Sequence, residues 1–581
     1  MCYSSGVTNT EIAGILMRMR TLMELSGESF YKFMAYERAA AALENAAPVH
    51  DLIAAGELKS LPGIGKTLSA IIEEIARTGT CEPFETLQQR YPASIFEILG
   101  VSGIGIKTAA MLFDQYGIGS LTQLEAAIDG GALAQAPRMG PKTIENIRRG
   151  ILAYRGRQRR TPLARARALA GEIVEHLQGG PPVHRLQYAG SLRRAEVTVG
   201  DIDVVCTSDC SADVIERFTR WDRARAVLAE GPTKASIWLE DGLQIDLRVL
   251  PDHLYGNLLQ HFTGSREHNI QLREYAVRCG LRVSENGILR LENGEVITCS
   301  EEAGVYEALG MQYIPPELRS GMGEIELALA RQVPALVELD DIRGDFHMHC
   351  TYSDGNQSLE AMIEAAAARG YEYHSISDHS QGRGRTYGVT VERLREQGER
   401  IRTLGARYGI RTLASSEVDI LPDGSLDYPD ELLAQLDIVV ASVHSAFNIG
   451  RDAMTARLIR ACENPFVSII GHPTGRMLDG FAGYEFDYDA VFAAAARTGT
   501  ALEIDGQAMR LDLPSALAAR AKTFGVVFTT DSDAHDVDQL PNVELAVSQA
   551  RRAGLQPADV LNARPLEGVM AFVREKRSRA A

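Results

Sequence analysis

Apolar residues recur every three to four positions through the first 80 residues, over 10–25 and again, Ala-rich, over 32–47. That period predicts helices throughout the region. A further helix is predicted after Leu61-Pro62-Gly63-Ile64-Gly65-Lys66-Thr67, running to residue 76. Between 168 and 250 the period changes, and helical stretches alternate with short β-branched runs. Residues 201–205 predict a strand, and 237–239 with 243–250 predict the arms of a hairpin turning at Asp241-Gly242. Residues 258–280 predict a loop followed by a helix that Ser265 caps, and 281–318 predict short strands and turns. Residues 321–340, with Pro334, predict a tether. From 341 onward each apolar run closes on a cluster of His, Asp or Glu and precedes a loop or helix. This repeat predicts a β/α barrel, whose sites gather at the C-terminal ends of its strands.

At ~100–200 residues per domain, 581 residues make three to five domains. No apolar stretch reaches ~18 residues, so no membrane span is expected. The polar first 14 residues hold no secretory h-region. Eight cysteines without a C-x-x-C pair suit a reducing cytosol. The net charge of −17 looks unfavourable for nucleic acid, and the parts differ little: −9 for residues 341–581, −8 for the first 340. Local charge matters more than the sum. Residues 148–167 carry eight arginines and no acid, which is either a phosphate-contact surface or a solvated helix end.

Chemistry concentrates in two places. The first is Gly190-Ser191-Leu192-Arg193-Arg194 with Gly200-Asp201-Ile202-Asp203. A Gly-Ser turn lets backbone N–H groups approach an anion, and arginine adds a planar fork. On a strand, Asp201 and Asp203 point to one face, and Asp246 on the hairpin would join them. Oxygen-only ligands suit Mg²⁺ held together with substrate phosphates. Three carboxylates, two metals and a triphosphate make a phosphoryl-transfer site. Upstream, Leu61-Pro62-Gly63-Ile64-Gly65-Lys66 is a helix-hairpin-helix turn whose glycines free N–H groups at a helix start. It recurs as Gly103-Ile104-Gly105-Ile106-Lys107, and more weakly around Met139-Gly140-Pro141-Lys142. Paired copies, each with a lysine, predict contacts to a DNA backbone that position a duplex without reading it.

The second place is the barrel: His347 and His349, Asp354, His379, Glu417, His444, His472, Asp533 and His535. Mixed imidazole and carboxylate ligands suit Zn²⁺, Mn²⁺ or Fe. Nine groups exceed the needs of one ion, so two or three are expected, as in centres that activate water against a phosphate ester. His374, beside the ligand run, is expected to be structural.

Together these motifs resemble a bacterial or archaeal family X DNA polymerase, of the DNA polymerase beta type, carrying a C-terminal polymerase-and-histidinol-phosphatase (PHP) domain. The likeness covers nearly the whole chain. It implies a multi-domain α/β and α+β protein. In it, 1–80 is a small helical DNA-binding domain, 81–155 fingers with helix-hairpin-helix repeats, and 156–255 a nucleotidyltransferase palm with a mixed sheet. Residues 256–318 become the thumb, 319–340 a linker, and 341–581 a distorted (β/α)7 PHP barrel with nuclease activity. By resemblance Asp201, Asp203 and Asp246 bind two Mg²⁺, and Asp246 helps deprotonate the primer 3′-hydroxyl. Gly190, Ser191 and Arg194 would hold the incoming triphosphate, with Gly200 and Arg248 beside them. Phe262, Thr263 and Gly264 would line its sugar, and Asn269 would reach the base edge. Gly63, Gly65, Lys66, Gly103, Gly105 and Lys107 would contact DNA. The nine barrel ligands would hold up to three Mn²⁺ or Zn²⁺, with Arg385, Arg451 and Arg476 as candidate phosphate contacts. Two positions depart from the beta type: Ile71 stands where a lyase lysine is usual, leaving Lys66 or Lys59 to substitute, and His261 stands where a tyrosine precedes the phenylalanine.

The implied activity is template-directed filling of short gaps in base-excision repair with 3′–5′ exonuclease activity. Abasic-site endonuclease and 3′-phosphatase activities are further options. The implied partners are gapped or primed duplex DNA and dNTPs, for a cytoplasmic monomer with no membrane contact. Three alternatives stay open at this point: a barrel that only holds DNA, a barrel that hydrolyses a small phosphomonoester, and a template-independent enzyme acting on RNA ends.

Overall fold

The computed structural model describes residues 7–579 other than 8, 45, 47–48, 102, 134–135, 138, 159, 241 and 383–387. It divides into two compact units, residues 1–159 and 160–581.

The first unit is all-helical among the described residues. Helices Asn9–Leu25 and Phe30–Glu44 pair and bury Ile12, Leu16, Met19 and Leu43 completely. Gly65 and Gly105 are the N-caps of helices Lys66–Thr78 and Ile106–Tyr116, while helix Pro141–Gln158 follows Gly140. Residues 148–158 of the basic stretch therefore lie on a helix, with most side chains from 152 onward, like Arg138, outside the described residues.

In the second unit a five-stranded sheet runs in the order Arg185–Tyr188, Asp201–Thr207, Gln244–Leu250, Lys234–Leu239, Ala224–Gly231. Asp201–Thr207 and Gln244–Leu250 are parallel, and the other neighbours are antiparallel. Helices Leu163–Gln178 and Ser211–Thr219 cover one face through Leu169, Ile173, Val214 and Phe218. Asp241, at the expected hairpin turn, lies outside the described residues.

Two expectations are corrected. Residues 258–263 are not a loop: helix Tyr255–Thr263 occupies them, because Tyr255, Leu258, Leu259 and Phe262 pack inward at helical spacing, and Gly264 at φ +68° ends it before helix Arg266–Arg278. Ser265 does cap that second helix, accepting from His268 N. The tether at 321–340 is not free either. Helix Glu324–Leu329 packs Ile325 and Ala328 on a core with Leu272, Val305 and Tyr306, and Val337 enters the barrel core. Its apolar residues outweigh Pro334 as a signal.

The C-terminal part forms two parallel sheets. One joins Gly344–Asp345, Tyr373–Ile376 and Arg411–Ala414. The other runs in sequence order through Glu417–Asp419, Val440–Ser442, Ile469–Ile470, Ala501–Asp505 and Phe528–Asp531. Bridges His379 to Glu417 and Met348 to Ala534 connect the sheets at both edges. With the run from 411 to 419 counted once this is a seven-stranded barrel, distorted where that run bends. Phe346 N donates to Asp531 Oδ1 at 2.7 Å, and Ser532 N to Asp345 Oδ1 at 3.3 Å, so two buried carboxylates pin the first strand to the last.

Candidate active sites and DNA contacts

Strand register places the sheet's carboxylates. Asp203 lies directly opposite Asp246, and Asp201 opposite Gln244. Gln244 Nε2 donates to both oxygens of Asp246 at 2.9 Å, fixing its rotamer. Asp201 is exposed, and Asp203 and Asp246 are half-buried. Burial first, then the charges of Asp201 and Asp246, push the Asp203 carboxyl up to about 7. Carboxylates that repel one another are the donor set a divalent cation relieves.

The Gly-Ser turn stands over them. Gly190 has φ +60°, and a Cβ there would lie 2.1 Å from Asp203 Oδ2, so only glycine fits. Arg194 Nη1 donates to Thr263 O at 2.6 Å, with its buried Nε unpartnered. Arg248 stacks its guanidinium 5.1 Å above the ring centre of Phe262. Gly264 leaves 3.0 Å between Arg194 Nη1 and a Cβ built there, and Gly200 precedes Asp201.

Some predicted contacts are already engaged. Thr263 is buried, and its hydroxyl accepts from Arg193 Nη1 at 2.6 Å. Asn269 is tied at both ends: Nδ2 to His261 O and Oδ1 to Gln260 Nε2, each at 2.8 Å. Arg193, which the motif offered as a second phosphate fork, instead pairs with the buried Glu302 at 2.8–2.9 Å.

In the barrel all nine predicted ligands converge. Glu417 stands at the centre. His379 Nδ1 lies 2.6 Å from its Oε2, and His444 and His472 Nε2 lie 3.0 and 2.9 Å from its Oε1. His349 Nε2 is 3.2 Å from Asp533 Oδ1, His379 Nε2 is 3.2 Å from Asp354 Oδ2, and His535 Nε2 is 3.5 Å from Asp354 Oδ1. Three overlapping groups can each hold an ion: His349, Asp354, His379 and His535; His347, His349 and Asp533; His379, Glu417 and His444. Buried His347 Nε2, both nitrogens of His349 and His472 Nδ1 have no good hydrogen bond. Burial, then the charges of His535 and His379, lowers His349 to about 3, and burial first lowers His472 to about 4. His349 and His472, held neutral with unused lone pairs, fit metal ions of intermediate softness. His472 and Asp533 hold left-handed backbone, φ +28° and +47°, as residues at functional sites often do.

A supporting shell escaped the sequence reading. Glu503 Oε1 lies 2.6 Å from His347 Nδ1, and Asp419 Oδ1 2.6 Å from His444 Nδ1. Gln507 Nε2 donates to Asp533 Oδ2 at 3.1 Å, and Arg510 Nε lies 3.8 Å from the same oxygen. Glu503-Ile504-Asp505 was findable as a period-two acidic pair closing a β-branched run. His374 is apart from the cluster, bonded to Thr412 Oγ1 at 2.9 Å, as expected of a structural histidine. Of the candidate arginines, Arg476 is spent on the backbone, bonding the carbonyls of Arg510 and Leu511. Arg451 pairs with Asp487 at 2.9 Å, and Arg385 lies outside the described residues.

In the helical unit, Gly63 and Gly103 adopt φ +82° and +94°. A Cβ at Gly65 or Gly105 would meet nothing within 4 Å, so both helix starts are open, with Lys66 and Lys107 exposed beside them.

Comparison with known proteins agrees with this arrangement part by part. A helix-hairpin-helix domain matches residues 7–81, and a SAM-like helix-hairpin-helix tandem matches 95–151. The DNA polymerase beta thumb matches 258–320, and the PHP domain 345–497. The chain is 37% identical over 567 residues to the DNA polymerase/3′-5′ exonuclease PolX of Bacillus subtilis, covering 97% of this chain and 99% of that one. This chain belongs to the PolX family. Smaller proteins match a part of the chain. A probable phosphatase of Syntrophotalea carbinolica is 32% identical over 177 residues, 28% of this chain and 70% of its own length, and one of Thermoanaerobacter sp. is 31% identical over 179 residues, 29% and 70%. As a PolX protein the chain combines a beta-type nucleotidyltransferase with a PHP barrel, and no helix among its described residues is long and apolar enough to cross a membrane.

Proposed function

We infer that this chain is a DNA polymerase that fills short gaps, with a 3′–5′ exonuclease in its barrel. The observation that carries the polymerase is the register of Asp203 against Asp246 beneath the Gly190-Ser191 turn, which sets three carboxylates against a phosphate-binding loop.

Asp201, Asp203 and Asp246 would hold two Mg²⁺, which when bound lower the pKa of the primer hydroxyl and neutralise phosphate charge. Asp246, fixed by Gln244, accepts the proton of the 3′-hydroxyl. The Gly190 and Ser191 N–H groups, the Ser191 hydroxyl and Arg194 hold the triphosphate. Phe262, braced by Arg248, packs against the sugar with Gly264. The 3′-oxygen bonds to the α-phosphorus, the α–β bridge breaks, and pyrophosphate leaves. Asn269 must exchange the His261 carbonyl for a base edge to act there.

In the barrel His347, His349, Asp354, His379, Glu417, His444, His472, Asp533 and His535 would hold Mn²⁺ or Zn²⁺, which supply an activated water. Glu503 and Asp419 orient two of the imidazoles, and Arg510 stands beside Asp533. Hydrolysis of the terminal phosphodiester releases a nucleoside monophosphate. The PHP relatives called probable phosphatases support 3′-phosphatase and abasic-site activity as extensions of the same site. The open helix starts at Gly65 and Gly105, with Lys66 and Lys107, would hold the duplex backbone. Ile71 is buried, which leaves the exposed Lys66 and Lys59 as the amines available for lyase chemistry. The assigned setting is base-excision repair by a cytoplasmic monomer.

A labelled one-nucleotide-gapped duplex with Mn²⁺ tests both activities. Template-matched filling is expected with dNTPs and 3′ shortening without them. Filling with no shortening, on paired or unpaired ends, would remove the nuclease; shortening with no filling would remove the polymerase.

A further inference from the structure

The turn that ends the palm's phosphate-binding helix is closed by side chains of the barrel. Helix Gly190–Arg193 terminates through Arg194 and Ala195, and Ala195 takes φ +53° without being glycine. Backbone at such an angle persists when its surroundings hold it. The carbonyls of these two residues face helix Val543–Arg552 of the barrel. Arg552 Nη1 donates to Arg194 O at 2.5 Å, and its Nη2 to Glu196 Oε2 at 2.9 Å. Gln549, fully buried, donates from Nε2 to Ala195 O at 2.9 Å. Leu545 of the same helix and Leu511 of the barrel enter the palm core with Leu192 and Ala195. On its other side Arg551 pairs with Glu317 of the thumb at 2.7 Å.

We propose that Gln549 and Arg552 are positioning residues for the polymerase: the barrel supplies the C-terminal cap of the turn that holds the incoming triphosphate. This rests on the assignment of Ser191 and Arg194 to that triphosphate. The carbonyls of Arg194 and Ala195 lie in the turn beyond this four-residue helix, and their donors come from about 350 residues away in sequence. Without them the turn relaxes, and Ser191 and Arg194 lose their alignment.

The test is single-nucleotide gap filling by the full chain, reading kcat and the KM for dNTP separately, beside 3′ shortening of single-stranded DNA. Gln549→Leu and Arg552→Ala are each expected to raise the KM for dNTP about tenfold, with kcat and shortening close to the parent. Arg552→Lys, which keeps one donor and the charge, should recover part of the loss. Arg520→Ala, which breaks an exposed pair with Asp489 elsewhere on the barrel, should change nothing. An unchanged KM in Gln549→Leu and Arg552→Ala overturns the proposal, as does a parallel fall of both activities with KM intact, which marks a purely structural role. If Arg552→Ala does not fold, Gln549→Leu and Arg552→Lys decide on the same criterion. Arg194→Ala separates the two levels: if it leaves KM unchanged the triphosphate assignment itself fails, whereas a raised KM there with none in Gln549→Leu sinks only the barrel's role.

Discussion

The palm and the barrel both serve phosphate chemistry, but they arrange their ligands in opposite ways. The palm offers three carboxylates on two adjacent interior strands, one exposed and two half-buried, with a phosphate turn above them. The barrel offers nine groups, most of them buried and braced by further carboxylates. The palm's three carboxylates are fewer ligands than two hard cations use, so substrate phosphates would complete the coordination. The barrel's set is complete in the chain, and only Asp354 and His535, its more exposed ligands apart from His444, mark where DNA would enter. An open site commits when the nucleotide binds. A set that the chain completes by itself leaves access of the strand end to decide its use.

The most severe way to break this contrast is to delete one ligand from each side. Asp203→Ala removes the carboxylate shared by the trio and should lower gap filling by more than ~100-fold, beyond the 10–100-fold typical of outer-shell partners, while 3′ shortening persists. His347→Ala should do the reverse. Assaying both activities in both variants checks this, and loss of both activities from either substitution would mean that the two sites do not work independently.

Next in size is Glu503→Gln, which keeps volume but removes the charge on the far nitrogen of His347. Metal affinity of the barrel, read as the Mn²⁺ concentration for half-maximal shortening, should weaken ~10–100-fold. Gap filling in Mg²⁺ should not change. An unaltered Mn²⁺ requirement would show that Glu503 serves only barrel packing.

Glu503 also marks where sequence was legible and where it was not. The nine candidate ligands could be found because most stand in clusters at or just past strand ends, and a histidine there is conspicuous. Glu503 and Asp419 act through space on histidines distant in the chain, and Gln507 on Asp533, and only the closed barrel brings them there. The palm aspartates were legible through period two, and their opposition through the hairpin. Helix Tyr255–Thr263 was misread because the Thr263-Gly264 break was extended backwards over residues that pack as a helix. The expected tether failed similarly: Ile325, Ala328 and Val337 bury where Pro334 suggested a free chain. Arg193 illustrates the limit, since nothing in Gly190-Ser191-Leu192-Arg193-Arg194 says which arginine turns to the buried Glu302 and which stays beside the Gly-Ser turn.

The smallest effect tests the palm's incompleteness directly, through pH. Burial and then the charges of Asp201 and Asp246 push the Asp203 carboxyl up to about 7, against ~3.9 in an unfolded chain. Between these values the folded protein binds the extra proton, so this group's contribution to stability grows as pH falls from 7 towards 4 and is lost as pH rises through about 7. The residue is half-buried, and solvent screens the repulsion. In metal-free protein at pH 8, Asp203→Asn should therefore raise Tm modestly, on the order of 2 °C, and the gain should vanish near pH 4. Mg²⁺ should narrow the difference at pH 8, because the cation relieves in the parent the repulsion that the substitution removes. Thermal unfolding of both proteins across pH 4–8 in chelator and in Mg²⁺ measures this, and a Tm offset independent of pH would show that the aspartates do not repel one another and that the palm does not wait for a cation to complete it.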